Sequence, residues 1–191
     1  MQKSELTLVY YLLQDKHNTA KNFRQIAEET EMSLGSVQAK MQELTEKGYI
    51  ALSDKGRVLR KRSQLIDWWA RGYAESLKDK QLLMRFEFLT PTIRMAWKEI
   101  TLPSCAQWSG EPATHRLGNY LSPERWDIYV ENNANALIST GRMIPNAQGD
   151  IYVYRKFWKG DGMPTLVIYA DLLATGDDRC KEVAERIKSL I

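Results

Sequence analysis

The chain has 191 residues, 43% of them hydrophobic and 27% charged, so it can build one large core or two small ones and needs no disordered stretch. Its longest apolar runs are too short to span a bilayer, and Met1-Gln2-Lys3-Ser4-Glu5 lacks the features of a signal peptide, so a cytoplasmic protein with Cys105 and Cys180 as free thiols is expected. The net charge of +3 is unevenly placed: residues 1–63 hold 11 Lys/Arg against 8 Asp/Glu, and residues 64–191 hold 16 of each.

A first helix is predicted over Ser4–Gln14, capped by Ser4, with Leu6, Val9, Tyr10 and Leu13 on one buried face. A second follows over Phe23–Thr30, turning its Phe23, Ile26 and Ala27 inward. After the turn Glu31-Met32-Ser33, a third helix runs from about Leu34 to Lys47. Ser33 is its cap, Leu34, Val37, Met41 and Leu44 its core face, and Gly48 its C′ residue. Ile50–Leu52 and Arg57–Leu59 then pair as a short hairpin across Ser53-Asp54-Lys55-Gly56. Helix, sharp turn, helix and basic hairpin is the layout of a winged helix-turn-helix, which makes duplex DNA the expected partner.

The contacts follow from that layout. Ser33, Ser36, Gln38 and Lys40 stand near the start of the third helix, the end that enters a major groove. There Gln and Lys can read base edges and Ser can hold phosphate. Five of the eight residues from Lys55 to Arg62 are basic, and Lys55, Arg57, Arg60, Lys61 and Arg62 are the candidate phosphate contacts. Glu43 and Glu46 restrict contact to the first two turns of the helix.

Beyond the hairpin, residues 63–80 read as a bridging helix capped by Ser63. Its Leu65, Trp69, Tyr73 and Leu77 form an apolar face expected to pack on a second domain or a partner chain. Residues 81–191 read as a mixed α/β domain. Strands are predicted at Leu82–Phe88, Trp126–Val130, Asp150–Arg155 and, as a run buried on both faces, Thr165–Ala170. Helices are predicted at Pro91–Ile100, Pro112–Tyr120, Asn133–Ser139 and Asp178–Leu190, the last capped by Asp177. The fold class is therefore α/β (α+β) in two domains, 1–62 and 81–191, joined by the bridging helix.

Trp108-Ser109-Gly110-Glu111-Pro112-Ala113, Leu121-Ser122-Pro123-Glu124 and Tyr169-Ala170-Asp171-Leu172-Leu173-Ala174-Thr175-Gly176-Asp177, with Leu65-Ile66-Asp67-Trp68-Trp69-Ala70, resemble the AbiEi family of abortive-infection proteins, the antitoxins of type IV toxin–antitoxin systems. The resemblance implies a repressor that binds repeats upstream of its own operon. It also implies a second domain that counteracts a nucleotidyltransferase-type toxin, without a stable complex being required, in phage defence or element maintenance.

Enzyme chemistry finds little support. There is no P-loop, Lys159-Gly160-Asp161-Gly162 being a turn, and His17 and His115 have no ligand neighbour at useful spacing. The order of elements in the second domain is compatible with a restriction-endonuclease-like fold. Its candidate carboxylates are Glu111, Asp127, Asp150 and Asp171, but no Lys follows any of them by two residues, so such a site would be degenerate. Glu111, Asp127 and Asp171 are kept as an antitoxin surface or a vestigial site. Two bland readings stay open, Glu111 as a carboxylate at a helix start and Asp171 as a cap after a strand. No catalytic residue, metal or cofactor is expected. The alternatives are a metal-dependent nuclease delivered by a winged helix and a regulator that senses a small ligand.

Overall fold

The computed structural model describes residues 2–54, 56–118 and 121–191 and divides into two units, Met1–Leu77 and Lys78–Ile191. The division falls inside the stretch predicted as one bridging helix. No helix among the described residues is long and apolar enough to cross a membrane.

In the first unit, α1 (Lys3–Gln14) buries Leu6, Leu8, Val9, Leu12 and Leu13, a wider face than the four-residue stripe read from spacing. It starts one residue before Ser4, behind Gln2, and no side chain caps it. A 3-10 turn at Asn18–Ala20 leads to α2 (Phe23–Thr30), held by a full capping box. Asn22 Oδ1 accepts from the Gln25 amide at 2.9 Å and Gln25 Oε1 accepts from the Asn22 amide at 3.3 Å. Glu31 stops α2 in the left-handed region, at φ 56°. Ser33 then caps α3 (Leu34–Glu46) by accepting from the Ser36 amide at 3.2 Å. Val37, Met41 and Leu44 are buried as expected, whereas Leu34, expected inward, is exposed.

Strands β1 (Ile50–Ser53) and β2 (Gly56–Leu59) pair antiparallel, with Leu52 opposite Arg57. Helix α4 (Arg62–Ser76) begins behind Lys61, itself left-handed at φ 49°, so Ser63 lies inside the helix and does not cap it. Its apolar face packs on α1: the Trp69 indole donates to the Leu6 carbonyl at 2.9 Å, and Trp69 stacks on Tyr73 at 5.2 Å. The face expected to cover another domain or chain is thus consumed inside the first unit.

The second unit opens with the short α5 (Lys78–Gln81) and β3 (Leu82–Phe88). Then come α6 (Pro91–Met95), β4 (Ala106–Ser109), α7 (Gly110–Thr114), β5 (Trp126–Val130), α8 (Asn135–Ile138), β6 (Met143–Pro145), β7 (Ile151–Arg155), α9 (Thr165–Ala174) and α10 (Asp178–Ile187). The five strands lie in the order β4-β5-β7-β3-β6, with β5 and β7 parallel and every other pair antiparallel. Alternation sends Trp126, Ile128, Val130, Ile151, Val153, Phe86 and Phe88 to one face, where they form a core with Trp97, Trp108, Leu137 and Met143. The same alternation sends Ser109, Asp127, Tyr129 and Tyr154 to the other face.

One predicted strand is corrected. Thr165–Ala170 is the first part of helix α9, with Leu166 to Leu172 all buried. A helix apolar on every side has no period to betray it, and only length separates it from a buried strand. The continuation of apolar residues past Asp171 to Ala174 was that signal. Other boundaries moved as well. Helix α7 starts at the left-handed Gly110, two residues before Pro112, and a 3-10 turn at His115–Leu117 follows it. Tyr120 lies outside the described residues. Strands β4 and β6 carried no sequence signal, and Leu190, the predicted end of the last helix, is exposed beyond the end of α10.

Gly149 precedes β7 where the chain runs against β3. A Cβ there would stand 1.9 Å from the Phe86 carbonyl oxygen, and the Gly149 carbonyl accepts from Arg85 Nε at 2.7 Å. Gly149→Ala is expected to cost about 1–3 kcal/mol, as overpacking against backbone does. Denaturant unfolding checks this, and an unchanged midpoint would show that the β3 approach is not tight.

Candidate DNA-facing helix and a buried charge cluster

In the first unit the exposed side of α3 presents Gln38 and Gln42, with Ser36 half-buried near its start. The Ser33 hydroxyl oxygen is occupied by its cap, and Lys40 Nζ donates to Gln2 Oε1 at 3.2 Å. Between α3 and the hairpin lies a groove of about 490 Å³ lined by Phe23, Gln38, Met41, Gln42, Leu52 and Arg57, among others. The basic residues of the hairpin region divide into two kinds. Arg57 donates to the Thr19 carbonyl at 3.2 Å and the Lys21 carbonyl at 2.6 Å, and lies over the Phe23 ring at 4.4 Å. Arg62 donates to the Leu13 carbonyl at the end of α1 at 2.7 Å, and partial burial draws its ionisation down from the ordinary value. Both guanidiniums therefore fasten loops and helix ends. Arg60 and Lys61 are exposed, and neither side chain has a hydrogen-bond or ion-pair partner among the described residues. Lys55 lies outside the described residues.

The second unit brings together two of its three predicted site carboxylates. Asp127 on β5 and Asp171 on α9 share the ammonium of Lys78, at 2.7 Å and 2.8 Å, and all three are buried. Asp127 also accepts from Arg125 Nε at 2.8 Å, and Arg125 reaches the Tyr154 hydroxyl. Asp171 accepts from Ser109 Oγ at 2.5 Å and from the Tyr129 hydroxyl at 3.1 Å. Glu111 is buried too, but its Oε2 accepts from the Glu124 amide at 3.0 Å, which ties α7 to the segment before β5. Asp150 pairs with Arg94. The adjacent Gly110 is left-handed, and a Cβ on it would come within 3.2 Å of Asp127 Oδ2, so close packing favours glycine there.

The charges follow from these neighbours. Burial works against the Lys78 ammonium, yet the carboxylates of Asp127 and Asp171 outweigh it and hold its pKa above the usual lysine range. Burial likewise disfavours the Asp127 carboxylate, but Lys78 and Arg125 together push its pKa below the ordinary value. Asp171 faces the same burial with Lys78 as its cation and the charge of Asp127 nearby, so its pKa is raised. Burial also raises Glu111, against the Glu124 amide and Arg179. Among the described residues no group of three or more His, Cys, Asp or Glu could hold a metal ion. Between the two aspartates stands an ammonium, which neutralises charge but offers no open coordination position.

Sequence reasoning missed Lys78, Ser109, Arg125, Tyr129 and Tyr154 as partners of these carboxylates. A lysine was sought two residues after a carboxylate, whereas Lys78 lies far upstream, near the end of the predicted bridging helix. The only hint was the alternation of Asp127 and Tyr129 against an apolar β5.

A family model described as "Transcriptional regulator, AbiEi antitoxin, Type IV TA system" matches residues 57–191. The chain belongs to the AbiEi antitoxin family. The match bears out the resemblance carried by the Trp108, Leu121 and Tyr169 segments. It begins in β2, so α1 to α3 and β1 lie outside it. No curated protein and no solved structure matches the chain. The AbiEi description is that of a transcriptional regulator and antitoxin, which points away from an enzyme.

Lys78→Met is expected to cost about 3–5 kcal/mol, because it leaves two buried carboxylates without their shared cation. Adding Asp127→Asn and Asp171→Asn to that variant should recover much of the loss. Since the folded state raises the pKa of Lys78, its contribution is complete below pH 10.5 and is lost as pH rises through the folded value. The free energy of unfolding, measured across that alkaline range, should fall more steeply for the wild type than for Lys78→Met. Equal stability of the two proteins at pH 7 would show that the ammonium holds nothing together.

Proposed function

We propose that this AbiEi family member is a DNA-binding autorepressor and antitoxin. Residues 1–62 act as a winged helix-turn-helix, with α3 as recognition helix and β1–β2 as wing, and residues 81–191 counteract a nucleotidyltransferase-type toxin. The family match carries the reading. The capped α2–turn–α3 unit and the unpaired cations Arg60 and Lys61 support its DNA-binding half. Gln38 and Ser36 stand at the base-reading end of α3, with Ser33 and Lys40 beside them. Phosphate contact falls to Arg60 and Lys61, with Lys55 kept from the sequence reading. Arg57 and Arg62, expected from sequence to touch phosphate, are spent on backbone carbonyls, which makes them supports of the reading head.

The second unit needs no catalysis in this reading. The ion-paired Lys78–Asp127–Asp171 cluster is a structural lock, and neither metal nor cofactor enters the function. A toxin encoded beside this gene is the expected antagonist, and the two proteins need not form a stable complex.

Arg60→Ala with Lys61→Ala should weaken binding to the chain's own upstream DNA and flatten the log–log salt dependence by about 2, one unit per released phosphate contact. Fluorescence anisotropy across a potassium chloride series measures this. The same double variant should derepress a promoter reporter yet still rescue growth when the neighbouring toxin is expressed. Arg57→Ala and Arg62→Ala should instead lower the melting temperature. An unchanged salt slope for Arg60→Ala/Lys61→Ala would remove the wing from the DNA contact, and failure of the wild type to rescue growth would remove the antitoxin role.

A further inference from the structure

The groove between α3 and the hairpin contains a pattern that the proposed DNA binding does not by itself explain. Gln38 and Gln42 stand one helical turn apart on α3 and both line it. Facing them from β1 are Ile50, Ala51 and Leu52, and Leu52 is 81% exposed. Phe23 and Met41 add further apolar wall. Among the described residues the charged member of the lining is Arg57, whose Nε and Nη2 donate to the Thr19 and Lys21 carbonyls.

Exposed amides beside an apolar wall select among base pairs. Guanine shows two acceptors, N7 and O6, to the major groove and is read by a two-donor Arg or Lys. Adenine shows one acceptor, N7, and one donor, the N6 amine, which a glutamine amide matches with its own donor and acceptor. The Gln38 amide is exposed and has no hydrogen bond among the described residues, so both of its functions are available. Gln42 Nε2 donates to Glu46 Oε1 at 3.0 Å, which leaves its carbonyl oxygen to accept. Thymine, adenine's partner, carries a methyl group into the same groove, and an exposed leucine is an apolar surface for it.

Resting on the reading of α3 as the recognition helix, we propose that this groove reads A·T base pairs, with Gln38 on the adenine edge and Leu52 against the thymine methyl. Gln38 and Leu52 are then specificity-determining residues, distinct from the phosphate contacts at Arg60 and Lys61.

The test uses the full chain and a pool of DNA duplexes with a random core. Wild-type protein should enrich a motif containing A·T pairs. Within that motif, 7-deazaadenine, which lacks N7, should weaken binding about tenfold, and deoxyuridine in place of thymine, which lacks the methyl, about fourfold. Leu52→Ala should bind thymine and deoxyuridine duplexes equally. Gln38→Glu, which can only accept, should move the preference from adenine toward cytosine. A selected motif of G·C pairs alone, or a Leu52→Ala protein as sensitive to deoxyuridine as the wild type, overturns this inference while leaving DNA binding intact. A wild type that enriches no duplex at all overturns the DNA-binding reading and this inference with it.

Discussion

A single ammonium group organises the second unit. Lys78 stands between two carboxylates that approach from different elements, one on the interior strand β5 and one on the buried helix α9. Taking three charges out of water is costly, and such a cluster persists only when each member is met by others. Here Arg125 answers the second oxygen of Asp127, while Ser109 and Tyr129 answer Asp171. The contact thus pins α9 onto the polar face of the sheet and fixes α5, the first turn of the unit, beneath it. The opposite face is ordinary apolar packing built on three tryptophans, Trp97, Trp108 and Trp126. One sheet therefore has an oily side and an ionic side, and the ionic side is the one the family motifs surround.

The first unit uses arginine in a comparable way, but at its surface. Arg57 and Arg62 look in sequence like members of a basic run facing DNA. In the fold each answers carbonyl groups that secondary structure leaves over, those of the Asn18–Lys21 turn and that of Leu13 near the end of α1. Charge counting treats every cation in a run alike, whereas geometry separates those already engaged from those available to a ligand. The excess positive charge of the N-terminal third is real, but only part of it is free.

Elements with strong periodicity or a capping signature were legible before the structure. The inward Phe23, Ile26 and Ala27 marked α2 and the Ser33 cap marked α3, while the Asn22–Gln25 box that holds α2 was seen only in the fold; alternation revealed β3, β5 and β7. What failed was whatever depends on contacts far apart in sequence. Strands β4 and β6 are short and exist because β5 and β3 offer them open edges. Helix α9 was hidden because its burial erases the period that marks a helix. The site was legible by halves. Asp127 and Asp171 stood out for their place in motifs and elements, but their common partner Lys78 could be seen only once the chain was folded. Glu111, chosen with them, proved to serve the backbone of a neighbouring segment.

Helix α9 has one more consequence. Its first six residues, Thr165-Leu166-Val167-Ile168-Tyr169-Ala170, are uncharged and rich in β-branched and aromatic side chains, the composition of a segment that stacks into cross-β fibrils. Folded, the stretch is held as a helix inside the second unit, with its backbone groups bonded to one another. Unfolded, it becomes adhesive to other copies of itself. Solubility of this chain, and not only its activity, therefore depends on the second unit staying closed. Damage to the cluster that seats α9 would be felt first as precipitation.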